Sequence, residues 1–307
     1  MTIALIMHDV CAKHQMSPGH PESPQRMAAV TDQLKARQLY DLMTHLEAPA
    51  VDLAHLVRAH GQEYVDTIVA SSPTEGLVEI DADVAMNAFS LEAGFRAAGA
   101  GILATDIVAS GEQNAAFCAV RPPGHHAEKS RAMGFCLFGS IAAAALYAVD
   151  VLGMDRVAIV DFDVHHGNGT EDIVHENSKI LFCSSFQHPF YPGYYRPSVK
   201  GQLENVPLAA GTNSAEFRDA ITARWLPALE AYQPQMLFIS AGFDAHHDDP
   251  LAGLSLVDED FAWITTQLVD IADRHCGGKI VSMLEGGYSL SALGRCAAEH
   301  SKVLMDV

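Results

Sequence analysis

The chain is short of cations. Nineteen Lys and Arg stand against 38 Asp and Glu, a formal charge of −19. Phosphate binding needs a basic face, so the balance argues against a nucleic-acid partner. It would suit a cationic substrate drawn in by long-range attraction, or an acidic surface that simply maintains solubility. Long apolar runs are also missing, and none reaches membrane-spanning length. The six cysteines (11, 118, 136, 183, 276 and 296) show no paired spacing, and several lie in apolar runs. That excludes a disulfide or zinc-finger framework and leaves reduced core thiols. No linker composition or internal repeat interrupts the 307 residues, which bounds them to one large α/β domain or two small ones. Thr2-Ile3-Ala4-Leu5-Ile6-Met7 is too short for a signal-peptide core and lacks a basic start. It is expected to be a first strand of a cytoplasmic protein.

What the chain does hold is histidine, sixteen residues of it, several beside turns and carboxylates. The densest stretch is Asp161-Phe162-Asp163-Val164-His165-His166-Gly167-Asn168-Gly169-Thr170. It follows Val157-Ala158-Ile159-Val160, which reads as a buried strand. Alternation along a strand would put Asp161, Asp163 and His165 on one face at its C-terminal end, with Thr170 capping the next helix.

Further strands are expected at 115–120, 179–184, 235–240 and 279–284. Helices are expected near 24–37, 52–58, 62–71, 87–110, 140–151, 170–177, 215–232, 258–274 and 290–304. Residues 14–26 read as a shaped loop, and 72–83 as an irregular stretch with two acids at its end. Strand–helix alternation predicts a doubly wound parallel sheet flanked by helices, with all of 1–307 in a single domain. Four strands end in unusual polar sequences: Arg121-Pro122-Pro123-Gly124-His125-His126, Asp161–Thr170, Ala241-Gly242-Phe243-Asp244 and Glu285-Gly286-Gly287-Tyr288. In a parallel sheet these ends share one edge, where ligands bind.

Asp163, His165 and Asp244 then form a set of two oxygens and one nitrogen, which suits zinc with a position left open. A two-manganese site of the ureohydrolase kind would need more acids, for which Asp248 is the candidate. His125 and His126 sit on a rigid loop and suit acid–base work near neutral pH. Asp161 could orient either of them. Tyr288, on a Gly-Gly turn, can donate to an oxyanion. Together these parts describe metal-assisted hydrolysis of an amide. Phe190, Tyr191, Tyr194 and Tyr195 either pack or wall a channel, and the residues alone leave both readings open.

The motifs at 121–126, 134–136 (Gly-Phe-Cys), 161–170, 241–244 and 285–288 resemble those of the zinc-dependent histone deacetylase superfamily, which includes bacterial deacetylase-like amidohydrolases and acetylpolyamine amidohydrolases. The resemblance runs from His20-Pro21-Glu22 to the final helix. It implies one catalytic zinc on Asp163, His165 and Asp244. It implies His126 as principal general base and acid, His125 paired with Asp161 as electrostatic partner, and Tyr288 polarising the acyl carbonyl. It also implies a potassium ion at Asp161, Asp163, His165, Ser184 and Ser185, and a second near Val174, Asn177 and Ile180. Gly134, Phe135, Tyr191, Leu251 and the Gly286-Gly287 turn are the implied substrate-binding residues.

Asn168, where class I enzymes usually have aspartate, resembles the class II branch. Leu251, where polyamine-selective relatives can carry glutamate, favours acyl-lysine peptides or proteins over acetylated polyamines. Ser185-Phe186-Gln187-His188 departs from the commoner pattern. The expected activity is removal of acetyl or longer acyl groups from lysine. The alternatives are a small-molecule amidohydrolase and a non-catalytic acyl-lysine binder. Neither nucleic acid nor membrane is an expected partner, and a homo-oligomer is allowed but not specified.

Overall fold

The computed structural model describes residues 3–306. Ten strands run as β1 (Ala4–Met7), β2 (Thr44–Glu47), β3 (Val78–Asp81), β4 (Val84–Met86), β5 (Ala115–Cys118), β6 (Val157–Asp161), β7 (Ile180–Gln187), β8 (Leu203–Leu208), β9 (Leu237–Ala241) and β10 (Ile280–Leu284). The helices are α1 (Gln25–Ala36), α2 (Leu53–Ala59), α3 (Gln62–Ala70), α4 (Ser90–Ala109), α5 (Ser140–Asp150), α6 (Asn168–Val174), α7 (Ser214–Tyr232), α8 (Asp258–His275) and α9 (Leu290–Met305). Thr2, the first residue of the expected opening strand, lies outside the described residues.

Eight strands form one parallel sheet in the order β2-β1-β5-β10-β9-β6-β7-β8, the architecture expected from the alternation. Alternate residues of β6 enter different cores. Ala158 and Val160 join the cluster under α1, α7, α8 and α9, while Val157 and Ile159 join the one under α4 and α5. Burial on both faces is why β5, β6, β9 and β10 are apolar or small at nearly every position. α4 is rich in Ala and Gly, which lets it pack closely: a Cβ at Gly101 would press on Ala144 of α5 and Met283 of β10.

Three features depart from the sequence expectation. β2 and β8 are strands that apolar periodicity does not reveal. They are the two edges of the sheet, where half-exposed and polar residues are tolerated and Pro207 removes a donor without breaking an inner ladder. Within the stretch 72–83, expected to be irregular, residues 78–83 join 84–86 to form the β3–β4 hairpin with Asp83 in its turn. α6 starts at Asn168 rather than after Thr170, so Thr170 is buried inside it and donates its N–H to the His125 carbonyl at 3.0 Å.

Among the described residues, no helix is long and apolar enough to cross a membrane.

Candidate active site

The four polar strand ends belong to β5, β10, β9 and β6, which are consecutive in the middle of the sheet. β6 stops at Asp161, so Asp163 and His165 stand on a loop rather than on the strand itself. Their common direction survives through local hydrogen bonds. Asp161 Oδ1 accepts from the Asp163 N–H at 3.1 Å, and Asp163 Oδ1 from the His165 N–H at 2.9 Å. Phe162 and Val164, between them, enter the core.

The donor atoms of Asp163, His165 and Asp244 lie within 4.8 Å of one another. His165 Nδ1 is 3.2 Å from a carboxylate oxygen of each acid. The Gly286 N–H donates to Asp163 Oδ2 at 2.8 Å and the Val164 N–H to Asp244 Oδ1 at 2.9 Å, while Asp244 Oδ2, the oxygen nearest His165 Nδ1, is buried and makes no well-aligned hydrogen bond. Burial, reinforced by the Asp163 charge, pushes Asp244 up to about 7. Burial opposes protonation of His165, yet the two carboxylates push it up to about 10. Two buried carboxylates with an orphaned oxygen call for a cation. Two oxygens and one nitrogen are donors that zinc accepts. A Cβ at Gly242 would collide with Asp163, and one at Gly286 with both carboxylates, so the glycines keep this nest open. The residues therefore fit a divalent ion.

Asp248, which a two-manganese site would recruit, is outside this cluster and faces Arg295 at 3.4 Å. A second group of candidate ligands is His246, Asp258 and Cys296. There His246 Nδ1 accepts from the Asp248 N–H at 3.0 Å, which places the ring proton on Nε2, 3.0 Å from Asp258. Arg295 holds the other Asp258 oxygen at 2.7 Å, so this is an ion-paired cluster and not an open nest.

The histidine pair stands beside the acid nest, with ring centroids 4.0 Å apart. His125 Nδ1 is 2.9 Å from Asp161 Oδ2, and His126 Nδ1 is 2.7 Å from Asn168 Oδ1. Burial works against the charge on His125, but Asp163 and Asp161 hold its pKa well above the ordinary range. His126 is held well below it by burial and by the neighbouring His125 and His165. Glu285 Oε2 accepts the N–H groups of Gly124 (2.7 Å) and His125 (3.1 Å), which ties this loop to the end of β10.

Above the pair opens a cavity of about 150 Å³, lined by Asp83, His126, Gly134, Phe135, His165, Tyr191, Leu251 and Tyr288. Gly134, Phe135, Tyr191 and Leu251 are thus brought together, as the resemblance implied. Gly286 and Gly287 stand behind this lining. Gly286 serves the acid nest, and the Gly287 carbonyl accepts from Arg26 Nε at 2.8 Å. Ser184 pairs in register with Asp161, and its hydroxyl lies 3.0 Å from His166 Nδ1; Ser185 follows it on β7, buried. Val174, Asn177 and Ile180 are linked by two successive turns, in which the Asn177 N–H donates to the Val174 carbonyl at 2.8 Å and the Ile180 N–H to the Asn177 carbonyl at 3.0 Å.

Several supporting residues escape sequence reasoning. Asp83 accepts the Gly134 N–H on Oδ1 (3.0 Å) and the Tyr191 hydroxyl on Oδ2 (2.8 Å), joining opposite walls of the cavity. Asp249 Oδ2 accepts the N–H groups of Tyr288 (2.7 Å) and Ser289 (3.1 Å) and so fixes the Tyr288 turn. Fully buried Glu22 binds Arg121 (2.6 Å) and Arg26 (3.1 Å), and the Arg26 guanidinium lies 5.2 Å from the Tyr288 ring centre. The only sequence signal for Asp83 is its place among acids at the end of 72–83.

An eight-stranded parallel α/β sheet with its site at the carboxyl edge defines the arginase- and deacetylase-like fold. Comparison with known proteins narrows it. The histone deacetylase domain matches residues 20–304. The histone deacetylase-like amidohydrolase of Pseudomonas aeruginosa is 36% identical over 285 residues, covering 91% of this chain and 75% of that one. Type-2 histone deacetylase 2 of Dictyostelium discoideum is 34% identical over 99% of this chain, which spans only 21% of that much longer protein. The crystal structure of the HDA15 HD domain superposes with a TM-score of 0.93 at 32% identity, covering 99% of this chain and 88% of that chain. The chain belongs to the histone deacetylase family. It is a hydrolase acting on amides, from a family that is generally zinc-dependent.

Proposed function

We propose that this chain, acting as one catalytic domain over 1–307, removes acetyl or longer acyl groups from lysine side chains, with one zinc ion on Asp163, His165 and Asp244. The observation that carries this reading is the cavity. Phe135, Gly134, Tyr191 and Leu251 wall it, and the same cavity reaches His126, His165 and Tyr288. An acylated lysine is a long apolar stem ending in an amide, and a cavity walled by Phe135, Tyr191 and Leu251 and reaching His126, His165 and Tyr288 offers apolar surface to the stem and polar groups to the amide. Zinc bound there would polarise the acyl carbonyl and acidify water.

Neutral His126 is free to take the proton of the attacking water on Nε2 and pass it to the departing amine. The N–C(acyl) bond breaks, and the products are a carboxylate and a lysine amine. His125, held by Asp161, keeps positive charge beside the developing oxyanion. Burial, then the Asp244 charge, hold the Tyr288 phenol well above its usual pKa, so it stays protonated and can donate to the oxyanion. Potassium is proposed at Asp161, Asp163, His165, Ser184 and Ser185, supported by the pairing of Ser184 beside Asp161. A second ion is proposed near Val174, Asn177 and Ile180, which two successive turns link at the start of β7.

Tyr288→Phe and His126→Ala should each lower kcat on an acetyl-lysine peptide by about 10²- to 10³-fold, with zinc content unchanged. Turnover near the unmodified level in either variant would remove that residue from the mechanism. Acyl-lysine peptides should be hydrolysed faster than acetylated spermidine, and the reverse order would replace lysine with polyamine as the substrate class.

A further inference from the structure

We infer that Glu128 is a positioning residue that sets the tautomer of His126 by orienting the side chain of Asn168. The inference rests on His126 being the base. A neutral imidazole can take a proton on Nε2 only if its own proton sits on Nδ1. His126 Nδ1 faces Asn168 at 2.7 Å. An aspartate there would accept through either oxygen. An asparagine has an accepting and a donating end, so its orientation decides the tautomer. With Oδ1 toward the ring, Nδ1 carries the proton and Nε2 is free. With the amide reversed, Nδ2–H points at Nδ1, the ring proton moves to Nε2, and the base is blocked.

Every neighbour of Nδ2 favours the first arrangement. The acceptors within reach of its two N–H groups are Glu128 Oε1 at 2.8 Å, Met133 Sδ and the Tyr194 hydroxyl at 3.2 Å each, and the His126 carbonyl at 3.5 Å. Only Glu128 among them is charged, and charge-assisted bonds are the stronger ones. Reversal would set the amide oxygen against that carboxylate. Glu128 is itself fixed: its N–H donates to the Arg131 carbonyl at 2.9 Å, and its carbonyl lies 2.8 Å from His60 Nδ1. Tyr194, on the aromatic loop, donates its hydroxyl to the same Oε1 at 2.6 Å. A carboxylate thus still governs the histidine, one residue further away and through an amide.

The test reads the tautomer directly. Two-bond 1H–15N spectra of histidine-labelled, zinc-loaded protein should show His126 protonated on Nδ1. In Glu128→Ala the Nε2–H form should appear, and kcat on an acetyl-lysine peptide should fall about 10- to 100-fold, the usual cost of losing an outer orienting partner, with KM unchanged. Glu128→Gln keeps an acceptor and should recover part of the loss. The decisive arm is Asn168→Asp. Aspartate needs no orientation, so adding Glu128→Ala to it should cost nothing and leave the proton on Nδ1. An Nδ1–H ring and full kcat in Glu128→Ala, or an equal loss in both backgrounds, overturns the inference. If the spectra follow expectation but no variant, nor the unmodified protein, hydrolyses acyl-lysine, the positioning role stands and the proposed reaction falls.

Discussion

At Gly286 the absence of a side chain lets two buried carboxylates approach each other. A Cβ there would strike both Asp163 and Asp244, and the Gly286 N–H is one of the few groups satisfying them. Gly286→Ala should therefore weaken zinc binding by at least about tenfold, read as zinc retained after dialysis against a chelator. It should also shrink the rise in melting temperature on adding zinc, since a ligand's stabilisation grows with the logarithm of its affinity. Equal zinc retention would mean the nest relaxes around the methyl group. The donor residues were legible in the sequence because each sits in a short polar motif at the end of an apolar run. Their hydrogen-bond partners were not. Glu285 reaches Gly124 across 161 positions and Asp249 reaches Tyr288 across 39, and no local pattern records such distances.

Among the elements, the β3–β4 hairpin is one of the shortest and holds one of the most consequential positions. Its strands are four and three residues long, too short for a periodic pattern to show, yet its turn residue Asp83 fastens both walls of the cavity. Tyr191→Phe keeps the ring and removes the bond, and Asp83→Ala removes both bonds. Each should widen the passage and raise the rate on butyryl-lysine relative to acetyl-lysine severalfold, because one methylene in an apolar pocket is worth about 1–3 kcal/mol. An unchanged ratio in both variants would show that packing alone fixes the width. The aromatic segment that the residues left open between packing and channel does both: Tyr191 lines the cavity, while Tyr195 packs on Phe186 at 5.0 Å between ring centres.

For the molecule as a whole, two buried histidines make stability depend on acidity. Burial lowers His300 to about 3, between Ser282 and Thr265, and lowers His60 to about 4. Both are neutral in the folded state. As pH falls below about 6.5, the unfolded chain takes up protons that the folded one refuses. The stability they allow is full above that pH and drains away down to the folded values, at roughly 1.4 kcal/mol per unit for each group. Urea unfolding should show lower stability at pH 4.5 than at pH 7, and His300→Gln should flatten the difference; an unchanged slope would mean that the carboxylates dominate. By itself the sequence determined the strand–helix alternation, the buried central strands and which polar residues stand at their ends, the candidate metal ligands among them, because each is written in contiguous residues as apolar runs, period and polar ends. Only the tertiary structure decided that β5, β10, β9 and β6 are neighbours, that β2 and β8 close the sheet, and which partner each active-site histidine has. Strand order follows from packing two cores at once, and a histidine's partner is whatever a distant segment brings within 3 Å of its ring.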